Sequence, residues 1–460
     1  MSTNGLLKEF ERILGKDNVF SEETDRHAYS YDAAVLEPSL PDFVLRPRSA
    51  EALGAAVRVC NENRLPLTVR GAGTNLSGGT IPKPGGVVIV TNALNEILEI
   101  NEQDLYAVVQ PGVVTAKFAS VVESKGLFYP PDPGSQSVST LGGNVAENAG
   151  GLRGLRYGVT RDYVMGLEFF DANGETVKTG ARTVKCVTGY NLGGLLVGSE
   201  GTLGIFSRIT LKLIPMPAAK KAMMAVFSDV SAASETVSAI IADKIVPVTL
   251  EFLDNFTIRA VEDFSRAGLP VEAAALLLIE VDGHPAQVEE EAARVEAICR
   301  KMGVMRVQVA RDGAERDKVW EGRRAALSAL SRIRPTTVLE DATVPRSKVP
   351  AMIRSIEEIG RKYDLLIGTF GHAGDGNLHP TILSDRRDKE AWGRVEKAID
   401  AIFEKALEYG GTLSGEHGIG TAKSKYLQNE TGRPAILYSR RIKAALDPNN
   451  ILNPGKIIGG

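Results

Sequence analysis

The chain has 460 residues, more than one hydrophobic core usually organises, so two or more domains are expected. A hydrophobic share of 43% and a charged share of 24% are those of a folded soluble protein, and a formal net charge of only −3 gives no argument for nucleic acid or an anionic membrane as partner. Cys60, Cys186 and Cys299 are scattered and form no CxxC pair. That fits a reducing cytoplasm and excludes a cysteine-ligated iron–sulfur cluster within this chain.

The N-terminal MSTNGLLKEFERILG mixes charge with apolar residues at helical spacing, which predicts a short amphipathic helix over 5–15 rather than a secretory signal. Asp42 to Arg46 reads as a strand. Ser49 to Asn63 reads as a helix, with Ser49 as cap, Glu51 in the first turn and Leu53, Ala56, Val57 and Cys60 on one face. Leu67 to Arg70 is a strand running into RGAGTNLSGG, and Val87 to Thr91 is another, so strand–helix–strand order predicts a small α/β unit. Further strands are expected at 104–110, 164–171 and 204–213; Phe169 and Phe170 belong to the core of the second.

After Pro215 and Pro217 glycine thins out, and strands alternate with helices at 222–228, 232–243, 247–253, 273–282, 286–302 and 304–309. This predicts a second α/β domain with an antiparallel sheet. QVEEEAARVEAICRKMG reads as a helix with a solvated charged face. A long amphipathic helix over 386–408 precedes a return of glycine in GGTLSGEHGIG. The longest apolar stretches, such as Ala273 to Ile279, are too short to span a bilayer, so no transmembrane segment is expected.

The 47 glycines cluster at 71–86, 134–204 and 368–420. RGAGTNLSGG lacks the lysine of a nucleotide-triphosphate loop. It also meets Gly78, Gly79, Pro82 and Pro84 where a dinucleotide fingerprint would open a helix. What remains is a strand ending in a glycine turn whose backbone N–H groups can cradle a phosphate. Read alone, it is equally a plain connection. A second stretch, PPDPGSQSVSTLGGNVAENAGG, reads as a long loop without secondary structure, and such loops are usually functional. A third, GSEGTLGI, leads into an apolar strand.

Together with RYGVTRD, these segments resemble the FAD-binding domain of the vanillyl-alcohol-oxidase-type flavoenzymes over roughly residues 40 to 217. The resemblance implies FAD bound in a non-Rossmann manner, with Gly71, Gly73, Thr74, Asn75 and Leu76 around the pyrophosphate and Arg70 and Gly78 as further cofactor-binding residues. It places Pro131, Asp132, Gly134, Ser135, Gly142, Gly143, Asn144, Asn148, Gly150 and Gly151 along the rest of the cofactor. Tyr157, Glu200, Gly201, Gly204, Ile205 and Asn453 are expected to join them. Members with flavin covalently attached at this turn carry histidine after its second glycine; Thr74 stands there in this chain, so non-covalent FAD is expected.

Of the five histidines, three fall in two short glycine-rich motifs, GTFGHAGDGNLH and SGEHGIG. Imidazole suits both metal ligation and general base chemistry near neutrality, and two imidazoles with a carboxylate make a three-ligand site with open positions. A lone loop histidine is more often merely hydrogen-bonded; three of five beside a glutamate reverse that balance.

These motifs, with the closing DPNNILNPGKI, resemble the C-terminal half of FAD-linked 2-hydroxy-acid dehydrogenases over about 218 to 458. D-lactate dehydrogenases, the flavin subunit of glycolate oxidase and D-2-hydroxyglutarate dehydrogenase belong to that group. The resemblance implies that His372, His379 and Glu416 bind a divalent metal (zinc, manganese, iron or cobalt) and that His417 is the catalytic base. In WEGRRAAL, Trp320 and Arg323 match the pattern that supplies an arginine for the substrate carboxylate, with Arg324 its neighbour; Asn377 is a further polar contact. The metal would lower the pKa of the substrate hydroxyl, His417 would take its proton, and hydride would pass to flavin N5. The 2-hydroxyglutarate enzymes place a lysine in the segment aligned with VLEDATVP, where Leu339, Glu340 and Asp341 stand here. That favours a monocarboxylate, although Lys348 lies nearby.

The expected fold class is α+β: a vanillyl-alcohol-oxidase (PCMH-type) FAD-binding domain over 1–217, an α/β cap domain with a largely antiparallel sheet over 218–370, and a C-terminal segment over 371–460 that carries the metal and catalytic motifs and returns to the FAD domain. The expected activity is FAD-dependent oxidation of D-lactate or glycolate, with stereochemistry implied by the resemblance alone. D-2-hydroxyglutarate is the alternative substrate; a phenol or sugar-lactone oxidase and an FAD-containing electron-transfer subunit are the alternative functions. An external acceptor is expected: an iron–sulfur subunit, an electron-transfer flavoprotein, a cytochrome or a quinone. The expected location is cytoplasmic, with attachment to a membrane through a partner as the alternative.

Overall fold

The structure, a computed structural model, describes residues 1–459. The chain forms two compact units: Met1–Gly150 with Val159–Met216 and Glu416–Gly460, and Gly151–Gly158 with Pro217–Gly415. The segment 371–415 therefore lies with the second unit, and the chain rejoins the first at Glu416, within the SGEHGIG motif.

In the first unit, the strand Val87–Val90 pairs in parallel with both Phe43–Leu45 and Leu67–Arg70. The crossover between the latter two is the helix Ala50–Glu62, opened by Ser49, whose hydroxyl accepts the Ala52 N–H at 3.2 Å. Its predicted face is buried against Phe43, Leu45, Leu67 and Ile89. Gly54 sits in that helix because a Cβ there would lie 2.5 Å from the Phe170 ring. An antiparallel five-stranded sheet follows, in the order Ile97–Asn101, Tyr106–Val109, Ile205–Lys212, Val164–Phe170, Thr176–Gly180. Phe169 and Phe170 are buried, as expected. The C-terminal segment is tied in through Asn453, whose N–H donates to the Leu67 carbonyl at 2.6 Å.

One expectation fails here. Residues 130–151 contain the helix Leu141–Glu147, capped by Thr140, whose hydroxyl accepts the Gly143 N–H at 3.3 Å. Two glycines in its first turn hide it from propensity, and the cap and tertiary packing override them. Gly142 is required there: a Cβ would lie 2.9 Å from the Pro111 carbonyl.

In the second unit the sheet is antiparallel in every described pairing, as expected. Helices Asn255–Ser265 and Gly313–Leu330 bury Ile258, Trp320 and Leu330 against Met224, Leu253, Leu276 and Phe370 of the strands. The helix Pro285–Lys301 buries Val288, Ala292, Val295 and Cys299 and leaves Glu289 and Glu290 exposed. GTFGHAGDGNLH is a hairpin: His372 ends the strand Leu366–His372, and His379 lies in the return strand Asn377–Ser384. Its two histidines thus stand on strands rather than in loops. The glycines mark the turn between them, where Gly376 has φ +92° and a Cβ would meet the Val344 carbonyl. Among the described residues no helix is long and apolar enough to cross a membrane.

Candidate functional site

The glycine turn of the first unit is built so that its backbone faces outward from its own hydrogen-bonding framework. Among the described residues, none of the N–H groups from Gly71 to Leu76 donates within the protein. The side chains, by contrast, are committed. Arg70 Nη1 donates to the Tyr31 carbonyl at 2.5 Å, and Asn75 Nδ2 donates to Asp32 Oδ2 at 2.6 Å. Gly73 has φ +70°, a left-handed conformation a side chain would strain. At Gly71 a Cβ would sit 2.3 Å from the Thr140 hydroxyl. Thr74 and Leu76 are half-buried within the turn. A run of undonated amides in a turn that glycine alone can make suits an anionic diphosphate, so this part of the unit fits FAD.

Two residues of the C-terminal segment hold the turn from behind. Lys456, 4% exposed, donates to the carbonyls of Gly78 (2.8 Å) and Ile81 (2.7 Å), and burial lowers its ammonium to about 8. Asn453 Nδ2 donates to the carbonyls of Gly79 (2.8 Å) and Glu200 (2.7 Å), and its Oδ1 accepts the Thr68 hydroxyl at 3.1 Å. The sequence reading included Asn453 but not Lys456 or Asp32.

The other expected flavin residues divide by unit. Asn144 donates to the Thr115 hydroxyl at 2.8 Å, and Asn148, at φ +53°, ends the helix and accepts the Arg161 N–H at 2.9 Å. Pro131 and Asp132 are buried, while Gly134 is exposed and Ser135 half-buried. Gly143 lies in the helix, Gly201 takes φ +69°, and Gly204 packs against Phe169 ahead of buried Ile205. Gly151 and Tyr157 belong to the second unit, where the Tyr157 hydroxyl donates to Asp282 at 2.7 Å.

Glu416 and His417 begin the segment that rejoins the first unit; Glu416 Oε1 and His417 Nε2 are 3.9 Å apart. The turn after them is fastened by Glu200, whose carboxylate accepts the N–H groups of Ile419 (2.7 Å) and Gly420 (2.8 Å). Burial raises Glu200 to about 7, although those two hydrogen bonds favour its charged form. Burial and the nearby Glu200 push Glu147 well above the usual carboxylate range. Gly418, at φ +82°, leaves room for Glu147: a Cβ would lie 2.2 Å from its Oε2.

The second unit brings together residues far apart in sequence. His372 Nδ1 is 2.6 Å from Glu251 Oε1, and Arg323 Nε donates to Glu251 Oε2 at 2.5 Å. Glu251 is fully buried, which alone would favour the neutral acid; the adjacent His372 and Arg323 outweigh that and hold it at about 2. Arg323 stacks over Phe370 at 4.7 Å, and the His372 and His379 rings meet edge-on with centroids 5.1 Å apart. Each of those imidazoles has a ring nitrogen within 4.8 Å of one in the other, and a donor atom of Asp341 lies as close to His379. Asn377 accepts the Thr343 hydroxyl at 2.9 Å, and Ser414, two residues before Glu416, donates to Asp341 at 2.6 Å. Trp320 Nε1 donates to Glu280 at 2.9 Å, one helical turn from Arg323. Paired imidazoles with an adjacent carboxylate are a donor set that suits a divalent transition metal.

Sequence reasoning missed Glu251. Its signal is a single carboxylate in the apolar strand Thr249–Asp254, on a position that the sheet buries completely. Leu339 packs beside the apolar cluster of Trp320 and Phe370, whereas Lys348 is exposed.

Comparison with known proteins identifies the family. Residues 216–457 match the family model of FAD linked oxidases, C-terminal domain, and residues 41–180 match an FAD binding domain. The chain is 50% identical over 457 residues to glycolate oxidase subunit GlcD of Bacillus subtilis, covering 99% of this chain and 97% of that one. It is 35% identical to a D-lactate dehydrogenase of Anaerostipes hadrus, over 99% and 97% of the two chains. The solved structure of p-cresol methylhydroxylase with substrate bound superposes with a TM-score of 0.82 at 19% identity, covering 99% of this chain and 96% of that one, which establishes a shared fold. The chain belongs to the FAD-linked oxidases, and within them to the FAD-linked 2-hydroxy-acid dehydrogenase family, flavoenzymes that act on CH–OH donors.

Proposed function

We propose that this protein oxidises a short D-2-hydroxy monocarboxylate, glycolate or D-lactate, to the 2-oxo acid, with non-covalent FAD and a divalent metal. The observation that carries this reading is that Arg323 and His372 share one buried carboxylate, with the His379 ring edge-on to His372. It sets a carboxylate grip beside two metal-type ligands, which is what a 2-hydroxy acid needs. In this reading residues 1–217 bind the flavin, 218–370 form the cap and 371–460 supply the motifs.

Arg323 holds the substrate carboxylate through its fork of N–H donors, a geometry lysine does not match. His372, His379 and Glu416 would hold the metal, with Asn377 as a further polar contact. His417 takes the hydroxyl proton as the C–H bond breaks. When bound, the metal would lower the pKa of the hydroxyl and FAD would accept the hydride. Leu339 stands where the 2-hydroxyglutarate enzymes place a lysine, and it packs against the apolar cluster of Trp320 and Phe370, which supports a substrate with one carboxylate. The name of the Bacillus relative, a subunit, supports electron transfer to an external protein acceptor. The test is anaerobic mixing of metal-replete and chelator-treated protein with glycolate. Loss of flavin bleaching on metal removal, restored by manganese or zinc, is expected; bleaching at an unchanged rate without metal would contradict the metal assignment.

A further inference from the structure

Glu251 has no part in the chemistry just described, yet its carboxylate is shared by two of the groups that do. It lies in the strand Thr249–Asp254, opposite Leu278, and the next residue, Phe252, pairs with Gly371. That register puts the carboxylate beside the end of the strand Leu366–His372. Its side chain has no solvent exposure, so each oxygen must be satisfied by the protein. Oε1 takes His372 Nδ1 and Oε2 takes Arg323 Nε.

Each contact fixes a choice that its partner would otherwise have. With Nδ1 turned to a carboxylate, His372 presents Nε2 as its ligand nitrogen. With Nε occupied and the guanidinium stacked on Phe370, Arg323 keeps Nη1 and Nη2 for another acceptor. Among the described residues those two nitrogens make no hydrogen bond. Phe370 is in turn the cross-strand partner of His379, and its ring lies 5.7 Å from the imidazole.

We propose that Glu251 is a positioning residue for both halves of the site: it aims His372 Nε2 at the metal and turns the terminal nitrogens of Arg323 end-on to the substrate carboxylate. The inference rests on the functional reading above, in which His372 is a metal ligand and Arg323 the carboxylate grip.

The test uses the FAD-loaded protein and the Glu251→Gln variant, which offers one acceptor oxygen where Glu251 offers two. Calorimetric titration with manganese, without substrate, should show metal affinity about 10–100-fold weaker than wild type. The KM for glycolate should rise about tenfold or more, and in an Arg323→Met background the same change should add less than twofold to KM. FAD content and circular dichroism identify folded protein. If Glu251→Gln does not fold, Glu251→Asp, which keeps the charge but falls one methylene short, carries both readouts with the same expected directions. Metal affinity and KM within twofold of wild type in a folded variant would overturn the proposal. His372→Ala and Arg323→Met separate the two levels. If they leave metal affinity and KM unchanged, the functional reading fails and the positioning role with it; if they shift both while Glu251→Gln does not, the positioning role alone fails.

Discussion

The glycine turn at 70–79 and the cluster around Glu251 solve opposite problems. In the turn, Arg70, Asn75, Lys456 and Asn453 all bond to the protein itself, and the groups left for a ligand are backbone amides. Around Glu251, the backbone is spent on an antiparallel ladder, and in the proposed function the side chains His372, His379 and Arg323 carry the chemistry. A tightly held cofactor is recognised by the shape of the main chain. A small substrate that must react needs ionisable groups whose orientation is fixed by neighbours.

The comparison is open to attack at several points, and the largest effect is expected at His417. The His417→Ala change should slow anaerobic flavin reduction about 10²–10⁴-fold with FAD content unchanged, as read by stopped-flow absorbance. Next comes Arg323→Lys, which keeps the charge but loses the fork. It should lower kcat/KM for glycolate about 10–100-fold, mostly through KM, in steady-state assays with an artificial acceptor. The turn should respond differently. Lys456→Met strips two buried carbonyls of their donor and should cost about 1–3 kcal/mol in denaturant unfolding, with weaker FAD retention on gel filtration and no loss of metal affinity.

The smallest effect concerns pH. Glu200 has its folded pKa raised to about 7 from an ordinary 4.5, so the native state holds a proton that the unfolded chain has released. The stability it contributes is complete below 4.5 and lost as pH rises through 7. The thermal midpoint should therefore decline by a few degrees over that window. Glu200→Gln should flatten the decline, and an unchanged slope in the variant would contradict the assignment to Glu200.

Much of the first unit was legible because local signals agreed with the fold. The Ser49 cap, the apolar face of the following helix and the strand Leu67–Arg70 all stand where the sequence puts them. The failure of RGAGTNLSGG to open a helix was equally plain from its prolines and glycines. The helix Leu141–Glu147 was hidden because Gly142 and Gly143 occupy its first turn, where close packing on Pro111 rather than propensity sets the residue. Glu251 was hidden for another reason. Its meaning comes from partners 72 and 121 residues away, and only the strand order of the second unit brings Arg323 and His372 to it. The motif histidines could be singled out as residue types; the carboxylate that orients one of them could not.

The central claim, oxidation of a short D-2-hydroxy acid, is tested most directly by an anaerobic absorbance titration of the metal-replete protein with glycolate, D-lactate, L-lactate and D-2-hydroxyglutarate. Glycolate or D-lactate should bleach the flavin band and the other two little, with loss of the fast phase in the His417→Ala variant. Bleaching by D-2-hydroxyglutarate alone, or by none of the four while FAD is fully bound, would contradict it.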